Sequence, residues 1–149
     1  MSPLPNCVRP NVALALEKWH RMVATRDLSE LPSIVHPQAI FRSPVANTPY
    51  GPAQALIVAL STVIQVFEDF SYHRQFASED GLSVVLEFST RVSGKDIKGV
   101  DLIRFDDDGL ILEFEVAIRP LSGLQGLAEQ MGARLGQRLQ DFKQPAPKG

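Results

Sequence analysis

The chain is predicted to be an α+β domain, with helices gathered on one face of an antiparallel sheet. Apolar residues recur at helical spacing in its first half. From Phe70 the period changes from 3.6 to 2. Turn dipeptides Asp80-Gly81, Ser93-Gly94 and Asp108-Gly109 then divide the second half into successive hairpins.

Pro3, Pro5 and Pro10 make residues 1–10 an extended arm. Asn11 reads as the N-cap of a helix ending near Arg26, in which Val12, Leu16, Trp19 and Val23 share one face. Asp27 followed by Glu30 resembles a capping box for a short helix from Leu28 to Val35, with Pro32 near its first turn. His36-Pro37 closes it, and Ala39 to Arg42 reads as a short strand stopped by Pro44. After a loop from Pro44 to Gly51, Pro52 opens a helix to about Phe67. Leu56, Leu60, Val63 and Phe67 form its main stripe, and Ile57 and Ile64 a second apolar side.

Strands are predicted at 70–77, 82–93, 97–106 and 109–119. In the second, Val84, Leu86, Phe88 and Thr90 alternate with Val85, Glu87, Ser89 and Arg91, so one face is a core face and the other polar. Arg119-Pro120 ends the sheet. Leu124, Leu127, Met131, Leu135 and Leu139 then stripe a last helix within 121–143, whose interior glycines make it depend on packing. Residues 144–149 read as a disordered tail.

The 149 residues suffice for one domain that buries roughly 70% of its unfolded surface. A net charge of −2 argues against nucleic acid as the main partner, because phosphate binding needs a clustered cationic surplus. One cysteine, Cys7, builds neither a disulfide framework nor a thiolate metal cage. The N-terminus lacks a signal-peptide pattern, and the longest apolar run, Ala55 to Leu60, is too short to span a bilayer. The expectation is a cytoplasmic protein with no membrane partner.

The element order carries Ala39-Ile-Phe-Arg-Ser-Pro-Val45, then Pro49-Tyr50-Gly51 before a helix, then Gly99-Val-Asp-Leu-Ile-Arg-Phe105 and Asp108-Gly109. With these motifs, roughly residues 11–120 resemble the nuclear transport factor two-like superfamily, in particular its SnoaL-like and ketosteroid-isomerase-like branches. The resemblance implies a cone-shaped half-barrel, in which a curved antiparallel sheet wraps a long helix around an apolar pocket, with additional N- and C-terminal helices. It also implies a homodimer packed through the sheet face and cofactor-independent chemistry. The isomerases of this group use a carboxylate base after the first strand, a tyrosine on the first helix and a protonated aspartate on a sheet strand. These positions fall on Ser43, Trp19 and Asp101. Ser43 has no useful basicity near neutral pH, and Trp19 donates one N–H without sharing a proton as a phenol does. Asp101 retains the group's chemistry: on an apolar face its pKa should be raised by desolvation, suiting it to donate a hydrogen bond or to act in acid–base catalysis.

The pocket is expected to be lined by Trp19, Phe41, Leu60, Val63, Phe88, Ile103, Phe114, Val116 and Ile118, with Asp101 as its polar group and Ser43 and Tyr50 near its mouth. His73 alternates with Tyr72 and Arg74, and the sequence does not settle which faces inward; an inward His73 would be the base available to pair with Asp101. Ser43 reads more readily as a turn residue than as a nucleophile, because no elbow motif surrounds it. His20, His36 and His73 have no metal-site spacing, and Asp106-Asp107-Asp108-Gly109 reads as a hairpin turn, because Arg104 would occupy the first ligand position of a calcium loop. Glu113 and Glu115 project on one side, where cross-strand ion pairs with Arg91, Arg104 and Arg119 are expected. The function expected is binding of a small hydrophobic, carbonyl-containing molecule, with isomerase- or cyclase-type acid–base chemistry through Asp101. The alternative is a non-catalytic ligand-binding or dimerising module.

Overall fold

The computed structural model describes residues 7–136 and 138–143, so the expected tail and most of the expected arm lie outside the described residues. Helix α1 spans Pro10–Thr25 and buries Val12, Ala15, Leu16, Trp19, Met22 and Val23. It begins one residue before the expected cap. Pro10 occupies the first turn, where its missing N–H loses nothing, and Arg9 takes the cap position. Asn11 instead donates its side-chain amide to the Asp107 carbonyl. Arg26 ends the helix in a left-handed conformation (φ 57°), its N–H bonded to the carbonyls of Met22 and Val23.

The short helix expected from Leu28 to Val35 shrinks to a 3-10 turn, Leu31–Ile34. Asp27 uses its carboxylate on the Ser29 N–H, an Asx turn, in place of a capping box. Strand β1 then runs Val35–Arg42, starting earlier than expected and passing through Pro37. Its register is irregular between Val35 and Ile40, and β1 lies at the sheet edge, where a missing N–H is tolerated. Helix α2 follows at Ala53–Val66.

The expected succession of hairpins forms β2 (Glu68–Ala77), β3 (Ser83–Val92), β4 (Lys95–Phe105) and β5 (Ile111–Arg119). They pair antiparallel, and β1 adds to β5 in parallel, so the sheet is mixed, curved and unclosed, in the order β1-β5-β4-β3-β2. Val84, Leu86, Phe88, Thr90 and Val92 of β3, and Ile97, Asp101, Ile103 and Phe105 of β4, point to the buried face. Gly99 sits opposite Phe88; a Cβ there would lie 2.6 Å from the phenyl ring and 2.5 Å from the Ala117 carbonyl, so only glycine fits.

β2 departs from simple alternation twice. Its register shifts between Glu68 and Ser71, where Asp69 takes φ 52°, and again between Tyr72 and Gln75. Tyr72 pairs with Phe88 and Gln75 with Leu86, which leaves His73 and Arg74 together against Glu87: a bulge. Arg74 holds the Glu87 carboxylate through Nε at 3.0 Å and Nη2 at 2.6 Å. The outer-face ion pairs therefore differ from those expected. Glu87 pairs with Arg74 and Lys98, Arg42 with Glu113, and Arg91 with Asp96.

Helix α3 (Leu121–Leu135) is shorter than the expected last helix and is followed by a 3-10 turn, Gln140–Phe142. That turn is tied to the loop before α2: the Gly51 N–H donates to the Phe142 carbonyl at 2.8 Å, and Tyr50 bridges Lys143. No helix among the described residues is long and apolar enough to cross a membrane.

Candidate active site

Helices α1 and α2, the inner sheet face and α3 enclose a cavity of about 200 Å³. Its walls are apolar: Phe41, Leu60, Val63, Phe67, Phe70, Phe114, Val116 and Ile118, with Leu127, Met131, Leu135 and Leu139 from the C-terminal segment. Into this wall β4 projects Asp101, which keeps only 5% of its surface exposed. Asp101 is placed there by strand phase, between Gly99 and Ile103 on the core-facing side.

A directed chain of hydrogen bonds ends on that carboxyl. The Trp19 indole N–H donates to the Tyr72 hydroxyl oxygen at 2.9 Å, and Tyr72 donates its own hydrogen to Asp101 Oδ2 at 2.5 Å. Indole and phenol each have one hydrogen to give, and both are committed. Tyr72 is the one hydrogen-bond partner of Asp101 among the described residues, so Oδ1 is left for a ligand. Burial raises the Asp101 pKa to about 7, against the opposing effect of the Tyr72 hydrogen bond. Burial and the adjacent Asp101 push the Tyr72 phenol well above its usual range, so it remains a donor.

Aromatic packing fixes the chain from several sides. Phe70 meets Tyr72 edge-on with centroids 4.8 Å apart, and Trp19 packs edge-on against Phe114 at 5.3 Å. His20, also edge-on to Tyr72 at 5.1 Å, reaches Gln75 Oε1 through Nε2 at 3.2 Å, and burial lowers its pKa.

Of the residues expected from sequence, Trp19, Phe41, Ser43, Tyr50, Leu60, Val63, Asp101, Phe114, Val116 and Ile118 line the cavity. Phe88 and Ile103 do not; both are fully buried in the core behind its wall. His73 is outside. The bulge at 73–74 turns it to the exposed outer face, where its Nε2 lies 2.7 Å from Ser89 Oγ, so it cannot pair with Asp101. Ser43 is a turn residue whose Oγ accepts the Val45 N–H at 3.2 Å. The sequence reading missed Tyr72, although Phe70 and Tyr72 sit at the two-residue spacing of one strand face, and it missed the share of the wall supplied by α3. Among the described residues no cluster of His, Cys, Asp and Glu could hold a metal ion.

Comparison with known proteins agrees with this fold. Residues 16–114 match the SnoaL-like domain. A search of the curated proteins finds no match. Among solved structures, a steroid delta-isomerase from Pseudomonas aeruginosa is 56% identical, with a TM-score of 0.87 over 93% of this chain and 99% of its own. An uncharacterised bacterial protein with a cystatin-like fold from Silicibacter pomeroyi is 29% identical, with a TM-score of 0.79 over 92% of this chain and 94% of its own. An epoxide hydrolase/cyclase-like enzyme of pyran ring formation in the polyether salinomycin shares the fold at 15% identity, with a TM-score of 0.62 over 75% of this chain and 92% of its own. The family match spans about two thirds of the chain, from within α1 to the middle of β5, and the chain therefore belongs to the SnoaL-like domain family, with the cystatin-like α+β fold.

Proposed function

We propose that the cavity binds a small, uncharged, largely apolar molecule through a carbonyl oxygen, and that Asp101 transfers a proton to or from it in an isomerase-type reaction. The observation that carries this reading is Asp101 itself: a carboxyl buried in an apolar wall, held at one oxygen by Tyr72 and free at the other. Protonated, it donates through Oδ1 to a carbonyl oxygen; ionised, it accepts a proton from the carbon beside that carbonyl. A pKa of about 7 keeps both forms populated at neutral pH. Among the described residues no Lys, Arg or His lines the cavity, which disfavours a carboxylate or phosphate ligand. An engineered apolar cavity of about 150 Å³ accepts benzene. The 200 Å³ here suit one or two rings. The 56% identity to a protein described as a steroid delta-isomerase supports the reaction type.

The test is exchange of the hydrogens beside the carbonyl of β-tetralone in deuterium oxide, followed by NMR. The wild type should accelerate exchange, and Asp101→Asn should lose roughly 100-fold or more. Tyr72→Phe should shift the pH midpoint of exchange upward, since the bond it removes lowers the Asp101 pKa. Exchange unaffected in Asp101→Asn would refute the proposal. A second reading, a binding module without catalysis, is favoured by Ser43, whose hydroxyl is a turn group and no base. Binding of the ketone without exchange would establish it. The outer sheet face, with Phe76 51% and Leu102 37% exposed, supports the further proposal of a homodimer through that face.

A further inference from the structure

The cavity has to open somewhere, and the exposure of its lining residues says where. Most are buried or half-buried. The exposed ones are Val45 (48% exposed), Gly132, Gly136 and Gln140, from just two segments, the loop after β1 and the end of α3 with the turn that follows. Gly132 and Gly136 are one helical turn apart, so they stand on one side of α3. A Cβ built at either position meets nothing within 4 Å, so the space beside them is unfilled. On the neighbouring side of the same helix, Leu127 and Leu135 are buried against the core.

Resting on the reading that the cavity takes an apolar ligand, we propose that the ligand enters between Val45 and the Gly132–Gly136 side of α3, and that Gly132 sets the width of this entrance. The glycines keep the passage open where any larger side chain at that helix position would stand in it. The selected ligand is then one whose narrowest cross-section passes the gap, whatever its fit to the interior. Gly136 adopts φ 54°, where other residues are strained, so Gly132, inside the helix, is the position at which size can be varied.

The sequence contains one tryptophan, Trp19, and it lies in the cavity wall, so quenching of its fluorescence reports occupancy directly. Stopped-flow mixing with 2-acetylnaphthalene gives association and dissociation rates. Gly132→Leu should slow both by roughly tenfold and leave Kd within about twofold, because a gate acts on entry and exit alike. Val45→Ala, on the other rim, should speed both, and it keeps the test open should Gly132→Leu fail to fold. Rates unchanged in both variants would overturn the entrance while leaving the function reading intact. Dissociation accelerated alone in Gly132→Leu would overturn it too, by placing Gly132 against the bound ligand. Absence of quenching in the wild type would overturn the function reading, and this inference with it.

Discussion

A carboxyl group kept in an apolar wall makes stability depend on pH, and the sign follows from Asp101. Its pKa is about 7 in the folded chain against 3.8 as the unperturbed value. Between those values the folded state holds a proton that the unfolded state has lost, so this group's contribution falls as pH rises from about 4 to about 7 and is flat above. The full swing is on the order of 4 kcal/mol. Asp101→Asn has nothing to titrate, so its stability relative to the wild type should climb across that window. Urea denaturation of both proteins at pH 4.5 and pH 8 measures it, and parallel profiles would show that the carboxyl is not ionised at a cost. Asp101 was legible in the sequence because its apolar neighbours Gly99, Ile103 and Phe105 lie in phase with it. Tyr72 was legible only in its two-residue spacing from Phe70, because the bulge that follows it at His73–Arg74 breaks the alternation that would have fixed its side.

At the scale of elements, the strands were legible from their period and their turns, and the errors fall where one residue breaks the period. The bulge at His73–Arg74 is held by Glu87, a partner on another strand that no local pattern announces. Likewise, β1 continues through Pro37 because it lies at an edge, a fact of topology and not of the segment. Helix α3 shows how glycines with one local signature do different work. A Cβ at Gly123 would lie 2.1 Å from Ile97 Cγ2, whereas one at Gly126 meets nothing within 4 Å. Gly126→Ala should therefore stabilise the protein by up to about 1 kcal/mol through helix propensity. Gly123→Ala should lower Tm, because α3 must lift from β4. Thermal denaturation of the pair checks both, and equal shifts would mean that α3 does not pack on Ile97 as described.

At the scale of the molecule, the α+β class and the inner and outer faces of the sheet were legible, since they follow from hydrophobic pattern. The enclosure of the cavity was not, because α3 reaches it through contacts distant in sequence. The proposed dimer belongs to this scale. Leu102 points away from the cavity, so Leu102→Arg should give a monomer by sedimentation while ketone binding by Trp19 quenching is retained; a wild-type monomer, or a dimeric variant, would exclude that interface.

The strand order has a kinetic consequence. Strands β2 to β5 join as neighbours in sequence through short turns, but β1 finds its partner only in β5, matching Val35 to Ile111 and Phe41 to Phe114. Local hairpins close quickly, whereas a contact between segments so far apart must wait on a large loss of chain entropy. Phe41, Trp19 and Phe114 meet only when that pairing is made, so a chain in which β1 has not joined β5 has the residues of a cavity and no cavity. Ligand binding thus requires the β1–β5 pairing, and a ligand present during refolding should leave the rate of hairpin formation unchanged while slowing the loss of that pairing.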